Sequence, residues 1–314
     1  MRDKKFFFKK LVYIYFIIGI VIFLDCSTSK PVPEDYSSYV SSIKKWHEKR
    51  IESLKVKNGI LSAVGLYWLK EGVTSFGSNP SNDIVFPKDK APEFIGSFTL
   101  HKGHVRIKIK PGVEVLHHGE AVSEMELIDD SGGEVTLLDL GPLSWFIIKR
   151  NEEFAVRLRD SENSYINQFK DIETFAIDPA WRLEARFEPF EQTKTIVTTT
   201  ASGATRYLAS PGSLIFKISN ETYKLDVMNG DNYFLIFVDN TNGDETYEAG
   251  RFLSVEKPGA DGTTIIDFNK AYNPPCALNK YYACPLPPPQ NRLPVKVTAG
   301  EKNTKVVHIK AEIM

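Results

Sequence analysis

The stretch Ser97-Phe98-Thr99-Leu100-His101-Lys102-Gly103-His104-Val105-Arg106-Ile107-Lys108-Ile109 decides the fold class. In its second half Val105, Ile107 and Ile109 alternate with His104, Arg106 and Lys108. Successive side chains of a strand point to opposite faces, so this alternation reads as a strand with one buried and one wet face. Lys102-Gly103 breaks the pattern, and the stretch predicts a hairpin turning there.

The same reading extends outward. VEVL (113–116), EVTLLDL (134–140), LSWFIIKR (143–150) and FAVRLRD (154–160) are short apolar runs divided by Gly, Pro, Asn and Asp. Regular short strands of this kind suggest a sandwich or barrel rather than alternating strand and helix. A second run follows: TKTIVTTT (193–200), TRYLA (205–209), SLIFKI (213–218), TYKLDV (222–227), YFLIFVD (233–239) and TYEAGRFLSV (246–255). Asn229-Gly230 and Asn242-Gly243 are its strongest turn signals. KVVHIKAEI (305–313) reads as a last strand, and FAIDPAWRLEARFEPF (175–190) as a join between the halves.

One helix precedes the strands. Tyr36, Val40, Ile43, Trp46 or His47, Ile51 and Leu54 recur at three- and four-residue steps, with Asp35 as N-cap and Asn58-Gly59 as stop. The fold class is therefore mainly β: two β-rich halves sharing a core, with one N-terminal amphipathic helix. Residues 36–170 hold the helix and a sandwich-like half, and residues 171–314 a second β-rich half. Trp68, Trp145 and Trp181 lie in apolar runs and are expected in the core.

The first 25 residues set the expected compartment. Arg2, Lys4, Lys5, Lys9 and Lys10 precede an apolar run from Leu11 to Leu24, the layout of a secretory signal. Cys26 stands where a lipidated cysteine would, followed by a polar tether over residues 26–35, although Asp25 replaces the usual small residue before it. Lipidation at Cys26, cleavage to a soluble form and an uncleaved anchor all fit, and all export the body. The expected location is the cell envelope, outside the cytoplasm, with the membrane as partner through the N-terminus.

Removing residues 1–25 leaves 34 Lys and Arg against 38 Asp and Glu, a net charge near −4. No stretch gathers the basic residues on one face, so nucleic acid is not an expected partner. The remaining cysteines, Cys276 and Cys284, read as a disulfide in an oxidising compartment. Closing that loop would contribute on the order of 2.5–3 kcal/mol in the chain-entropy model. The prolines around them (Pro274, Pro275, Pro285, Pro287, Pro288, Pro289) make a rigid loop, in which a reactive Cys276 is the alternative to a staple.

No signature of the common hydrolases, metalloproteases or nucleotide-binding proteins is present, and no cofactor or metal is expected. His101 and His104 would face each other across the hairpin, as an exposed tip or a shared metal site. The chemistry-bearing residues gather near the C-terminus. Asp239 and Thr241 follow a buried strand, Thr246, Tyr247 and Arg251 lie on the expected return strand, and Asp267, Asn269 and Asn273 follow the next. Carboxylates, an Arg and amides at strand ends can hold a small polar ligand or supply an acid and a base. The same residues also close turns and lock loops.

This C-terminal string, from Asp239-Asn240-Thr241-Asn242-Gly243-Asp244-Glu245-Thr246-Tyr247 and Gly250-Arg251-Phe252-Leu253 through Asp267-Phe268-Asn269-Lys270-Ala271-Tyr272-Asn273-Pro274-Pro275-Cys276-Ala277, then Cys284-Pro285-Leu286-Pro287-Pro288, Asn291-Arg292-Leu293 and Ala299-Gly300-Glu301, resembles the bacterial family called domain of unknown function 1684. Trp46 with Arg50, Gly65-Leu66-Tyr67-Trp68-Leu69, Arg157-Leu158-Arg159-Asp160 and Asp178-Pro179-Ala180-Trp181-Arg182 fit the same resemblance. It implies no established activity. Separately, Phe76-Gly77-Ser78 and Asn82-Asp83-Ile84-Val85-Phe86-Pro87 resemble the opening of forkhead-associated sandwiches. Ser78 stands where such phosphopeptide readers carry an Arg, and residues 95–98 offer no Ser-x-x-His. The likeness is one of fold.

The expected function is a non-catalytic envelope lipoprotein that binds a small polar ligand or a protein partner. The alternative is a hydrolase-like enzyme using Asp239, Arg251, Asp267 and Asn269.

Overall fold

The computed structural model describes residues 35–200 and 203–304. The signal segment, Cys26, nearly all of the tether and the expected strand at 305–313 lie outside them. Among the described residues no helix is long and apolar enough to cross a membrane.

Helix α1 (Tyr36–Lys55) starts where the Asp35 carboxylate accepts the Ser37 N–H at 2.9 Å. Its inward stripe is Tyr39, Ile43 and Leu54. The expected stripe opened on Tyr36, which is 52% exposed. The apolar spacing fitted either tyrosine, and the partner that decides, Asp267, is far along the chain.

The first half has eleven strands: β1 (Ala63–Trp68), β2 (Gly72–Gly77), β3 (Ile84–Val85), β4 (Gly96–His101), β5 (His104–Ile109), β6 (Leu116–His117), β7 (Glu120–Ala121), β8 (Glu124–Leu127), β9 (Leu138–Leu140), β10 (Leu143–Arg150) and β11 (Glu153–Asp160). They form a six-stranded sheet, β1-β11-β10-β9-β6-β7, and a five-stranded sheet, β3-β2-β4-β5-β8. Phe76, Phe98 and Ile107 of one sheet share a core with Trp145, Ile147 and Val156 of the other, giving a two-layer sandwich. The β4–β5 hairpin turns at Lys102 (φ 49°) and Gly103 (φ 80°), with His101 opposite His104. Strand β10 is apolar without alternation because both its faces are covered: Trp145 and Ile147 face the sandwich core, Phe146 and Ile148 a second cluster. Trp145 is core as expected, whereas Trp68, at the end of β1, is 48% exposed.

A short helix, α2 (Ser164–Gln168), leads into the second half. The expected join at 175–190 is in large part a strand. Asp178 caps a single turn by accepting the Ala180 N–H at 2.8 Å, and β12 (Arg182–Thr199) runs on from it. With β13 (Thr205–Ile218), β14 (Glu221–Val227) and β17 (Thr263–Asp267) it forms the sheet β14-β13-β12-β17. Strands β15 (Tyr233–Phe237) and β16 (Arg251–Val255) pair separately and share a core with it through Leu214, Phe216, Leu235, Phe237 and Leu253. Leu293, Val297 and Ala299 enter this core from a segment with no strand. Each half has its own main core. A small third cluster of Leu54, Leu61, Phe169, Ile172 and Leu278, the last on α3 (Pro275–Leu278), bridges them.

Candidate functional site

The loop between β15 and β16 holds Asp239, Thr241, Thr246 and Tyr247, so Thr246 and Tyr247 precede the return strand instead of lying on it. Gly250, at φ 93° and with Phe237 O and Pro287 where a Cβ would go, turns the chain so that Arg251 enters the interior. The side chains of Arg251 and Asp239 are both 0% exposed. Arg251 Nη2 donates to Asp239 Oδ2 at 2.7 Å and to Val297 O at 2.9 Å, and Nη1 donates to Ala299 O. Asp239 Oδ1 accepts from Thr241 N (2.8 Å), Thr241 Oγ1 (2.6 Å) and Val297 N (3.2 Å). Thr241 Oγ1 and Thr246 Oγ1 are 2.8 Å apart. Burial pulls the Arg251 guanidinium below its ordinary range, and Asp239 opposes it. This cluster is sealed, and its hydrogen bonds run inward.

Asp267 and Asn269 belong to a second network. Tyr39 Oη donates to both Asp267 oxygens at 3.0 Å and accepts from Asn269 Nδ2 at 2.9 Å. Asn269 also pairs both ways with Asp178: its Oδ1 accepts the Asp178 N–H at 3.0 Å, and its Nδ2 donates to Asp178 O at 2.9 Å. Burial first, then the Asp267 charge, lifts the Tyr39 phenol above its ordinary range. This network borders a pocket of about 430 Å³ lined by Asp35, Ser38, Tyr39, Ser42, Arg182, Asp267 and Lys270. Arg182 and Asp267 sit opposite each other at the β12–β17 pairing. Neither Arg182 nor Lys270 closes an ion pair among the described residues, whereas Asp267 is already taken by Tyr39 and Asn269, and Asp35 caps α1.

Asn273 joins a third network. Its N–H donates to Glu301 Oε2 at 2.6 Å, and its carbonyl accepts Arg50 Nη2 at 3.0 Å. Arg50 Nε reaches Glu301 Oε1 at 3.2 Å, and its guanidinium lies 4.6 Å over the Tyr272 ring. Burial raises the Glu301 carboxyl, against the opposing charge of Arg50.

The thiols of Cys276 and Cys284 are brought together, with the Cys276 N–H donating to Cys284 Sγ at 3.2 Å. Tyr247 lies near Cys276 and helps to lower its pKa. Among the described residues no three His, Cys, Asp or Glu side chains group as a metal site. His101 and His104 engage different partners, Glu71 at 3.0 Å and Glu126 at 2.7 Å, on the exposed hairpin.

The expected residues thus divide: Asp239, Thr241, Thr246 and Arg251 in one sealed network, Asp267 and Asn269 in a second beside the pocket, Asn273 in a third, and Tyr247 with the thiols. Sequence reasoning missed Tyr39, Arg182 and Lys270. The last two stand inside strings singled out for resemblance, and an isolated cation within a strand-like run carries no signal of its own.

Residues 167–302 match the family described as "Protein of unknown function (DUF1684)". Among solved structures, an uncharacterised protein from gene locus rrnAC0354 of Haloarcula marismortui is 30% identical. The match covers 46% of this chain and 82% of that one, with a TM-score of 0.39. Mycobacterium tuberculosis EmbR, in complex with a low affinity phosphopeptide, is 12% identical over 42% of this chain and 33% of its own, with a TM-score of 0.20. Rad53 1–466 in complex with AMP-PNP is 10% identical over 64% of this chain and 48% of its own, with a TM-score of 0.16. No curated protein matches the chain.

Proposed function

We propose that this is an exported, membrane-tethered binding protein that holds a small molecule with an anionic group between α1 and the β12–β17 edge. One observation carries the reading. The pocket of about 430 Å³ carries two cations, Arg182 and Lys270, that close no ion pair among the described residues, while Asp267 accepts from Tyr39 and Asn269, and Asp35 from Ser37. A carboxylate or phosphate of a small ligand would give Arg182 and Lys270 an ion-pair partner, with Ser38 and Ser42 as neutral hydrogen-bonding groups. Export rests on the basic and apolar N-terminal segment, and tethering on Cys26 or on that segment itself.

The test is calorimetric titration of the full chain in detergent with a panel of small carboxylates and organic phosphates, beside their neutral amides and alcohols. Binding confined to the anionic members is expected. A charge-assisted hydrogen bond contributes about 1.5–3 kcal/mol, so Arg182→Gln should weaken that binding by roughly 10–150-fold. Binding of neutral and anionic members alike, or affinity unchanged in Arg182→Gln, overturns the reading.

A further inference from the structure

The proline loop brings together two sulfurs, a phenol and a cation that the pocket does not use. Cys276 is half-buried and Cys284 buried, eight residues apart, and the Cys276 N–H donates to Cys284 Sγ at 3.2 Å. Tyr247, on the β15–β16 loop, lies close enough to Cys276 for each to shift the other's proton affinity. Arg157 of β11, buried, stacks 4.1 Å over the Tyr282 ring, and its charge acts on Cys284. Among the described residues Arg157 has no carboxylate within ion-pair distance, and its buried Nε has no hydrogen-bond partner. A buried cation without a carboxylate partner is costly, and the ionisable groups that feel Arg157 are the Tyr282 phenol and the Cys284 thiol.

We propose that Cys276 and Cys284 form a thiol–disulfide exchange site for disulfide-bearing substrates, with Cys276 attacking and Cys284 resolving. The Cys276 thiolate attacks one sulfur of the substrate disulfide. The substrate S–S bond breaks, a mixed disulfide forms at Cys276, and the released sulfur leaves as a thiolate that takes up a proton. The Cys284 thiol then loses its proton to solvent and attacks Cys276 Sγ. The second substrate sulfur leaves and is protonated. In sum the substrate gains two electrons from the protein and two protons from solvent, while the protein, starting from the Cys276 thiolate, loses two electrons and the Cys284 proton in forming the Cys276–Cys284 bond.

The electrostatics agree with these roles. Hydrogen bonding from Cys284 first, with Tyr247 contributing, brings Cys276 down to about 7 against the effect of burial. Cys284 is pushed up, first by its hydrogen bond to Cys276 and by burial, with Arg157 pulling the other way. Tyr247, Tyr272, Tyr282, Glu248 and Arg157 are the other ionisable groups around the pair. Arg157 acts through Cys284, as a positioning residue for the resolving step.

The full chain carrying Cys26→Ser, reduced and held in detergent, is mixed anaerobically with oxidised glutathione and acid-quenched for intact mass. The expected course is one glutathione adduct on Cys276, followed by its loss as the internal disulfide forms. In Cys284→Ser the adduct persists. In Cys276→Ser none forms over the same time. Arg157→Met should leave adduct formation unchanged and slow its resolution, because the Arg157 charge favours the Cys284 thiolate. A redox titration in glutathione buffers needs no substitution within the site, and the pair should convert reversibly between dithiol and disulfide. Failure of both thiols to react, first reaction at Cys284, or a disulfide that reduced glutathione cannot open at any ratio overturns the proposal, the last marking a permanent staple.

Discussion

Arg251→Met tests whether the sealed cluster is a structural lock. Methionine keeps much of the side-chain volume and removes the guanidinium. Asp239 then remains at 0% side-chain exposure without its ion-pair partner at 2.7 Å, and the carbonyls of Val297 and Ala299 lose their donor. Removing one partner of a buried pair costs about 3–5 kcal/mol, largely from the charge left behind. We therefore expect a loss near 4 kcal/mol in urea unfolding of the full chain, and a fall in melting temperature on the order of 8–12 °C. Adding Asp239→Asn should restore part of this, because a neutral amide keeps most of the acceptor geometry and needs no counter-charge. Anion binding at the pocket should persist in both variants below their melting temperatures. A loss under about 1 kcal/mol, the size of an ordinary substitution, would refute the lock, as would a double variant less stable than Arg251→Met alone.

Two further changes probe the other networks. Tyr39→Phe removes the donor to Asp267 and the acceptor for Asn269, and should cost about 1–3 kcal/mol in chemical unfolding. Because the folded Tyr39 pKa lies above its ordinary value of 10, the native chain should lose stability as pH rises past 10, and Tyr39→Phe should lose less. Identical alkaline profiles would contradict this. Arg50→Met removes the cation that holds the raised Glu301 carboxyl down, so the folded Glu301 pKa should rise further. A raised carboxyl favours its protonated form in the fold, so the deficit of Arg50→Met should be smallest in acid and grow toward neutral pH, reaching about 3 kcal/mol. A pH-independent deficit in unfolding curves would count against the argument.

Much of the scaffold was legible because period-two alternation and turn dipeptides are local. Val105, Ile107 and Ile109 face inward as read, and Lys102-Gly103 turns the hairpin. The misplacements come from long-range partners. Tyr39 is set against Tyr36 by Asp267, more than 200 residues away. The 175–190 stretch looks like a connector because Asp178-Pro179 opens it and Pro189 interrupts it. Yet Arg182–Thr199 is one strand, which absorbs Pro189 where the β12–β13 register shifts between Pro189 and Lys194. The candidate residues were found as a string and not as a geometry, since sequence order says nothing about which of three interiors each side chain enters.

The density of Asp, Asn and Arg in that string has a physical cause other than catalysis. Leu293, Val297 and Ala299 must be buried to complete the second core, but their segment forms no strand; Leu293 and Val295 find backbone partners in Val238 and Asn240, and the backbone groups of Val297 and Ala299 take side-chain partners. The buried asparagines supply peptide-like amides. Asn291 accepts the Asp226 N–H at 2.8 Å and donates back to Asp226 O at 2.8 Å, the reciprocal pair that an antiparallel strand would make. Asn269 does the same for Asp178, and Asn279 bonds the carbonyls of Ile60 and Ala63. Arg251 and Asp239 serve Val297 and Ala299, and Glu301 serves Asn273. A polar residue whose bonds all close inward has used its capacity on the fold. Among the described residues Arg182 and Lys270 at the pocket close no ion pair, which sets them apart from Arg251, whose Nε alone is left over inside its network.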